Sequence, residues 1–564
     1  MNNKKWLIGS AAVVAAATIV LAGCSQGAKE PGDSTAPAAS KEPGASAAPE
    51  ASKEPEVRRD ISVSVYDRGN VPAAEGTIED NRWTKWLSEN GPANLKFVAI
   101  PRFESQQKLN VLFASGSAPD LIFEYAPHIK QPLIDQKLIM PLDELIEEHS
   151  ATYKEMLKQY PQLKKVGTKA DGKLYEFARM SEVVPVHALF IREDWLKKLN
   201  LQVPQTTEEL YAVAKAFAEQ DPDGNGEKDT YGIAISHQSG HVVDQIFQAT
   251  RWGVKNGQLE YNWANFQESL AFKKKLFDEG IVDKDFLNDN NGAKAKQDFI
   301  NGKIGIYPIQ PSSWPNFATT ELASLKKNVP TAAVQPIPYP KSPAGQFIPA
   351  LQNPVQAVAM INAKAKYPEA VVKYIDFLLK PETRNTLRHG IEGTHWKLGA
   401  NGCPEVIDAE KKKNEISWNG DMQMMSSMVL DPKCGKLDNS FNLNDPIQKE
   451  GYEIYLKAKQ IYMDASKPYV DITHPEHMPS LPKDLETISN PLTKQVDDML
   501  KKGIIDGAAS TPEKTIQEMQ EAWNKGDGKK IEDWFKNWYA TESENAFLAK
   551  DIIEVMKQQQ AAKE

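Results

Sequence analysis

Ile61, Val63 and Val65 alternate with Ser62 and Ser64, and this period of two predicts a strand over Ile61–Tyr66. Leu95–Ile100 predicts a second strand, and the unbroken apolar run Leu121–Phe123 a third, fully buried one. Asp80–Leu87 and Gln106–Phe113 read as helices between them. Strands alternating with helices imply an α/β sheet with crossover connections. Farther along, the period moves to 3.6. Thr206 and Glu209 carry a capping-box signature ahead of Leu210, Val213, Ala214 and Phe217. Pro368–Leu379, Gln448–Met463, Asn490–Lys502, Pro512–Lys525 and Ile531–Met556 predict a helical C-terminal half. At 564 residues the chain is too long for one core.

The N-terminus reads as a leader rather than as part of the fold. Lys4 and Lys5 precede a mostly apolar run, Trp6–Val20, which ends in Leu21-Ala-Gly-Cys24. That ending resembles the bacterial lipobox, which implies cleavage before Cys24 and a diacylglycerol on its sulfur. An uncleaved anchor is the alternative, since Trp6–Ala22 nearly suffices to span a bilayer. Ser25 to about Arg58 is Ala, Pro, Ser, Glu, Lys and Gly, too polar to offset the entropy of ordering. It reads as a tether with roughly 30–35 Å of r.m.s. reach.

Composition is that of an ordinary globular protein, 41% hydrophobic and 25% charged. A net charge of −9 without a basic run argues against nucleic acid as a partner. Cys403 and Cys434 remain as one pair that export permits to bridge, or as two separate thiols. Asp221-Pro-Asp-Gly-Asn-Gly-Glu-Lys-Asp229 places Asp221, Asp223, Asn225 and Asp229 at loop positions 1, 3, 5 and 9, with Gly226 at the turn. This is EF-hand spacing for calcium; the alternative is a solvated acidic turn.

Six phrases fall in a telling order: Ala114–Asp120, Asp171–Tyr175, Ile191–Leu199, Val203–Leu210, the Asp221–Asp229 loop, and His389–Trp396. Together they resemble the extracellular solute-binding lipoproteins of family 1, in the alginate-oligosaccharide-binding and paenibacillus lipoprotein subgroup. The resemblance implies a two-lobed, type II periplasmic-binding-protein-like α/β fold with a helix-rich C-terminal half. It implies lobe 1 from residues 59–178 and 338–398, and lobe 2 from 179–337 and 399–564. Crossings are then expected near Phe177–Arg179, Gln335–Pro338 and Trp396–Gly399. It implies a monomeric, non-catalytic receptor, held to the outer face of the cell membrane, that delivers an oligosaccharide to ABC permease subunits. It also implies structural calcium on Asp221, Asp223, Asn225, the Glu227 carbonyl and Asp229. Thr230 departs from the family's acidic residue at position 10, and Gly232 from the EF-hand acid at position 12.

Sugar recognition needs flat apolar faces and polar side chains. The related maltose-binding proteins carry a stacking Trp after a phrase like Asn301–Ser313, which points to Trp314. His395 and Trp396 lie near an expected crossing. Glu124 with Tyr125, and Tyr66 with Asp67, follow strands at their C-terminal ends, where α/β proteins bind ligands. Trp252 precedes an expected hairpin, and Arg179 at the first crossing would suit an acidic sugar. Trp83, Trp86 and Trp195 sit in helix patterns and read as core. Among rival readings, His237–His241 and His474–His477 suggest zinc, but neither is H-E-x-x-H. Gly23-Cys-Ser-Gln-Gly27 matches a hydrolase elbow but spans the cleavage site. A peptide-binding or sensory receptor on the same fold is a further alternative.

Overall fold

Two sheets organise the residues described by this computed structural model, namely 57–310, 313–399, 402–426, 434, 440–507 and 510–562. The expected leader, Cys24 and nearly all of the 24–58 tether lie outside the described residues. In chain order the strands are β1 (Asp60–Asp67), β2 (Asn94–Pro101), β3 (Leu121–Phe123), β4 (Phe177–Met180), β5 (Ala188–Arg192), β6 (Tyr231–Ile233), β7 (Trp252–Lys255), β8 (Gln258–Tyr261), β9 (Ile304–Ile309), β10 (Val334–Pro336), β11 (Val355–Ile361), β12 (Trp396–Leu398) and β13 (Pro404–Val406).

The first sheet has the order β2-β1-β3-β11-β4. β1 runs parallel to β2 and β3, whereas β11 is antiparallel to both β3 and β4. Asp120, the last residue of the Ala114–Asp120 phrase, helps set the register. Its Oδ2 accepts from the Ser62 N–H and hydroxyl, both at 2.7 Å, which ties the start of β3 to β1. Ser64 Oγ accepts from Phe123 N–H at 2.7 Å, so a serine on a fully covered strand stays satisfied. The second sheet, β10-β5-β9-β6, pairs β5 antiparallel to both neighbours and β6 parallel to β9.

Helix boundaries follow their caps. Asn81 accepts from Trp83 and Thr84 N–H and closes a capping box with Thr84, so the helix spans Arg82–Asn90 rather than starting at Asp80. The Thr207–Glu219 helix is capped by Thr206, and buries Leu210, Val213, Ala214 and Phe217. The return bond from Glu209 goes to Gln205 N–H at 2.6 Å, one residue earlier than in the usual capping box. Ile531–Met556, expected as one helix, is two: Gly528–Glu542 and Ala549–Ala561. Ile531 and Phe535 pack in the second core and Phe547, Ile552 and Met556 in the first, so one straight helix could not serve both. Asp551 accepts from Leu548 N–H at 2.8 Å and starts the new helix.

The described residues form two cores, and the chain alternates between them. The first gathers Ile61–Val183, Ile348–Met425, Met463 and Tyr469, and Phe547–Met556; the second gathers Ala188–Tyr339, Phe441–Tyr462 and Leu492–Phe535. This division differs from the expected bounds. The 178/179 boundary falls inside β4, which pairs with β11 in the first sheet, so passage comes at 181–187. Gln335–Pro336 is still in β10, and passage follows within 337–354. Trp396–Gly399 does not cross, because Ile416–Met425 still pack in the first core. Residues 399–564 are shared between the cores, and the last helix returns to the first one. There Gln559 pins the start of the first crossing, accepting from Val183 N–H at 2.8 Å and donating to Ser181 O at 2.9 Å.

Candidate functional site

β1, β2 and β3 are parallel, so their C-terminal ends converge on one side of the sheet. Tyr66 ends β1, Arg102 follows β2, and Glu124 and Tyr125 follow β3. The Tyr66 and Tyr125 rings stack with centroids 6.0 Å apart and planes 22° apart. The Arg102 guanidinium lies over Tyr66 at 4.7 Å and over Tyr125 at 5.8 Å, and that of Arg179 lies over Tyr125 at 5.5 Å. Beneath them Glu124 is 0% exposed, and its Oε1 accepts from Ala126 N–H at 2.9 Å. Burial, and then the Glu124 charge, raise the Tyr66 hydroxyl well above its ordinary range; burial also raises Tyr125. Both hydroxyls therefore stay protonated, and that of Tyr66 is hydrogen-bonded to Glu124. Asp67 turns inward on its own loop, accepting from Gly69 N–H at 2.8 Å.

A second segment closes over this cluster. Cys403 and Cys434 form a disulfide, with their Cα atoms 5.5 Å apart. The excursion between them delivers Asp421, which receives Arg68 Nε at 2.6 Å and Nη2 at 3.0 Å. It also delivers the Met424 carbonyl, which accepts from Arg179 Nη1 at 2.7 Å. Arg179 Nη2 donates to Gln356 Oε1 at 2.8 Å, and Gln356 Nε2 donates to Glu476 Oε2 at 3.0 Å. Glu476 also holds Asn353 at 2.6 Å, and Asn353 Oδ1 meets His477 Nε2 at 2.8 Å. A polar chain thus runs from Arg179 through the crossing segments.

Tyr125 and Gln356 also line a cavity of about 870 Å³. Lys130, Lys165, Glu176 and Phe547 line it from the first core's side, and Met478 and Trp538 from the second's. Lys130 is 4% exposed; its ammonium donates to Ala357 O and Glu176 Oε1, both at 2.6 Å. Burial pushes the Glu176 carboxyl up, but Lys130 and Lys169 outweigh it and hold it below the carboxylate range. The volume falls in the range of small-ligand sites, about 300–1,000 Å³.

The remaining expected platforms do not join this cluster. Trp314 is 2% exposed. Ser313 caps the short Trp314–Phe317 helix, and the indole is set edge-on to Phe190 at 6.2 Å and 5.5 Å from Tyr455. Position between Ser and Pro does not expose it, because the helix turns its side chain back onto β5. Trp396 is buried and donates to Gly390 O at 2.9 Å. His395 is buried between Ile391 N–H at 3.0 Å and Glu415 at 2.8 Å. Gly390 has φ +84°, and a Cβ there would meet Ile416 and His395, so the His389–Trp396 phrase builds a tight corner rather than a ligand surface. Trp252 opens the β7–β8 hairpin and packs on Phe535 at 4.7 Å and Tyr261 at 5.4 Å. Trp83 and Trp195 are buried in the cores.

Arg68, Arg102, Gln356 and Asp421 belong to the cluster without having been expected. The end-of-strand rule that points to Tyr66 and Tyr125 applies equally to Arg102 after β2. It also reaches Phe103, which is 92% exposed in the short helical turn Arg102–Glu104.

In the Asp221–Asp229 loop, Asp221 accepts from Gly224 and Asn225 N–H through Oδ1 and from Gly226 N–H through Oδ2. Hydrogen bonding with Asp223 lowers the Asp221 carboxyl, while burial and then Asp221 raise that of Asp223. Asn225 Nδ2 reaches Asp223 at 3.0 Å and Asp229 at 3.1 Å. Lys303 takes Asp229 Oδ2 at 2.8 Å, and the Thr230 hydroxyl donates to Phe217 O at 2.9 Å, away from the loop centre. The loop supplies oxygen-bearing side chains, as calcium requires, but the Asn225 amide turns its nitrogen, not its oxygen, toward Asp223 and Asp229. As placed, no three His, Cys, Asp or Glu side chains among the described residues enclose a metal position.

Comparison with known proteins adds the following. The family described as bacterial extracellular solute-binding protein matches residues 77–385. Lipoprotein LipO of Bacillus subtilis (strain 168) is 30% identical over 250 residues, 39% of this chain and 45% of its own length, so the match spans under half of that relative. The same organism's polygalacturonan/rhamnogalacturonan-binding protein YtcQ is 23% identical over 66% of this chain and 74% of its own length. The solved structure of the Streptococcus pneumoniae substrate-binding protein FusA, an EF-hand mutant in complex with fructo-nystose, is 18% identical. It superposes with a TM-score of 0.59, covering 86% of this chain and 100% of that one. The fold is accordingly the two-lobed, type II periplasmic-binding-protein arrangement.

Proposed function

We propose that this chain, which belongs to the bacterial extracellular solute-binding proteins, captures an oligosaccharide beside the Tyr66–Tyr125 pair and delivers it to the permease of an ABC importer. The observation that carries this reading is the cavity of about 870 Å³ lined by Tyr125, Gln356, Glu476 and Trp538, with Tyr66 buried behind Tyr125. The Tyr125 and Trp538 faces suit sugar C–H groups, and the amide, carboxylate and lysine groups of the lining suit hydroxyls. The crossings at 181–187 and 337–354 give the two cores a hinge, so closing them would shut water out of the cleft. YtcQ and FusA are described as saccharide binders, which supports the same class of ligand.

Three further features complete the reading. A lipid on Cys24 and the following tether would keep a monomeric receptor on the outer face of the membrane; the match to a lipoprotein supports this. Asp221, Asp223, Asn225, the Glu227 carbonyl and Asp229 would hold a structural calcium, which when bound cross-links the loop and neutralises its carboxylates. The protein acts by binding alone, without turnover.

The test is a thermal-shift screen of the purified protein against oligosaccharides, followed by calorimetry. A ligand of the native state stabilises it by about 2.7 kcal/mol at a hundredfold excess over Kd, and so raises Tm. Stabilisation by peptides and not by saccharides, or release of products from a glycan, would overturn the reading.

A further inference from the structure

We propose that the C-terminal end of the Pro381–His389 helix binds a phosphate group, held by Arg388, His389 and Lys412. None of the three lines the cavity of about 870 Å³, so this site is separate from it.

Arg388 and His389 close the last turn of that helix. Gly390 follows, and the side chain of Ile416 lies against it. Ile416 N–H donates to Lys412 O at 3.0 Å at the end of the Ala409–Glu415 helix, so Lys412 sits one turn back on the same face. The imidazole of His389 rests beside Trp396, with ring centroids 6.1 Å apart. All three residues are half-buried, which leaves each of them a side toward solvent.

The cluster gathers cations without a partner for them. Arg388 Nη2 is sealed from water with no hydrogen bond. Among the described residues, no hydrogen bond or ion pair reaches the side chain of Arg388 or Lys412. The acceptors nearby are already engaged. Leu387 O takes Asn419 Nδ2 and Gln423 Nε2, both at 2.9 Å, and Gly390 O takes Trp396 Nε1 at 2.9 Å. Thr386 O takes Gly390 N–H at 2.8 Å. Glu415 is held by His395 and Arg82, and Asp408 caps N–H groups of its own helix. Burial lowers Arg388 and Lys412 from their ordinary values, and Arg388 lowers Lys412 further. Burial, then Arg388 and Lys412, push His389 down to about 4. Among the described residues only Glu182, in the first crossing, acts on Arg388 with the opposite sign.

An arginine and a lysine with no protein acceptor suit a phosphate. The guanidinium can donate parallel N–H bonds, and the ammonium supplies a point charge. A dianion would meet two permanent cations and offset their mutual repulsion. Its charge would also favour a proton on His389, which adds a third charged donor. A carboxylate brings one charge and two oxygens to the same three groups, so the balance of charge selects phosphate. Two sources carry this chemistry, the free anion and the phosphate of a lipid headgroup.

The experiment is titration calorimetry on the full-length protein with inorganic phosphate and with glycerol phosphate, a headgroup fragment, at ionic strength matched with sodium chloride. At least one probe should bind one-to-one with a Kd of about 1 mM or tighter. Arg388→Gln and Lys412→Gln should each weaken that binding at least about tenfold, whereas Lys413→Gln, at the exposed neighbouring lysine, should leave it unchanged. Without phosphate, Lys412→Gln should melt no lower than wild type, because one repelling charge is gone. Tighter binding of inorganic phosphate would assign the site to the free anion, and tighter binding of glycerol phosphate to a headgroup; either supports the inference. Binding of neither probe, or wild-type affinity in both the Arg388→Gln and Lys412→Gln proteins, would overturn it. A Lys412→Gln protein that melts well below wild type without phosphate would also overturn it, since Lys412 would then be balanced within the protein itself.

Discussion

Trp314 donates its indole N–H to the carbonyl of Pro185 at 2.8 Å. Pro185 lies in the first crossing and Trp314 in the second core, so the bond ties the hinge segment to the lobe it enters. With its ring against Phe190 and Tyr455, this tryptophan is part of the scaffold. Trp314→Ala should lower unfolding stability by about 3–5 kcal/mol, the usual cost of emptying a large buried site. Phe103→Ala, at an exposed ring beside Arg102, should leave stability within about 0.5 kcal/mol of wild type. Parallel urea denaturation of the two variants checks the contrast. A Trp314→Ala protein as stable as wild type would contradict its placement.

Strand and helix identities were legible wherever one period dominated, as in Ile61–Tyr66, Leu121–Phe123 and Pro368–Leu379. The division between cores was harder to read, since it depends on where the chain packs and not on local pattern. Glu542 to Leu548 illustrates this: a helical period continues on both sides of a break set by which core each half must reach. The aromatic candidates failed for a related reason. Residue type says that tryptophan can stack on a sugar, but only burial says whether a face is free. The strand-end argument follows from topology and placed Tyr66 and Tyr125 in contact, but burial leaves only Tyr125 on the cavity, since Tyr66 is as covered as Trp314. Asp421 carried no such signal, since it reaches Arg68 from more than 350 positions away.

The disulfide closes a loop of sequence separation 31, whose Asp421 and Met424 hold Arg68 and Arg179. Loop-closure entropy for that length is about 3–4 kcal/mol. The double substitution Cys403→Ser with Cys434→Ser should therefore lower stability by about 2–4 kcal/mol, and it should also weaken ligand binding by loosening the arginines. Asp421→Asn isolates the second effect. It removes one charged partner of Arg68, a change worth about 1–3 kcal/mol, while the disulfide stays intact. Calorimetry showing unchanged affinity in both variants would place the excursion outside the binding cleft.

Lys303 and calcium compete for Asp229 in the proposed metal loop, because its ammonium already holds Oδ2 at 2.8 Å. Chelator should lower Tm if the loop is loaded in the native protein, as metal bound only by the folded state stabilises that state. Lys303→Met should raise calcium affinity, and Asp223→Ala should abolish the chelator response. Melting curves with and without chelator read the first and last, and isothermal titration with calcium reads the second. A Tm that does not move with chelator or calcium in wild type and in Lys303→Met would remove calcium from the description.

Buried neutral histidines set the acid limit. Burial pushes His187 down to about 4, with the neighbouring His241 adding to the effect, and pushes His477 down to about 3, with His474 and Lys130 adding to it. His187 lies in the first crossing, and His477 in the stretch between Tyr469 of the first core and Leu492 of the second. His187 Nδ1 is 3.2 Å from Gln245 Nε2, whose own Oε1 accepts from Tyr339 OH at 3.0 Å in the next crossing, and His477 meets Asn353. Each has a folded pKa below its unfolded value near 6.5, so the unfolded chain takes up protons first as pH falls. Stability should then be full above about pH 6.5 and decline steadily toward pH 4. Glu176 acts in the same direction lower down, because its depressed carboxyl contributes stability that is lost as pH falls below the ordinary glutamate range. His477→Gln keeps a hydrogen-bonding side chain but cannot be protonated, so its Tm should fall less between pH 7 and 4 than that of wild type. Melting curves across that window decide the matter: parallel wild-type and His477→Gln profiles would show that His477 is already solvated in the folded protein.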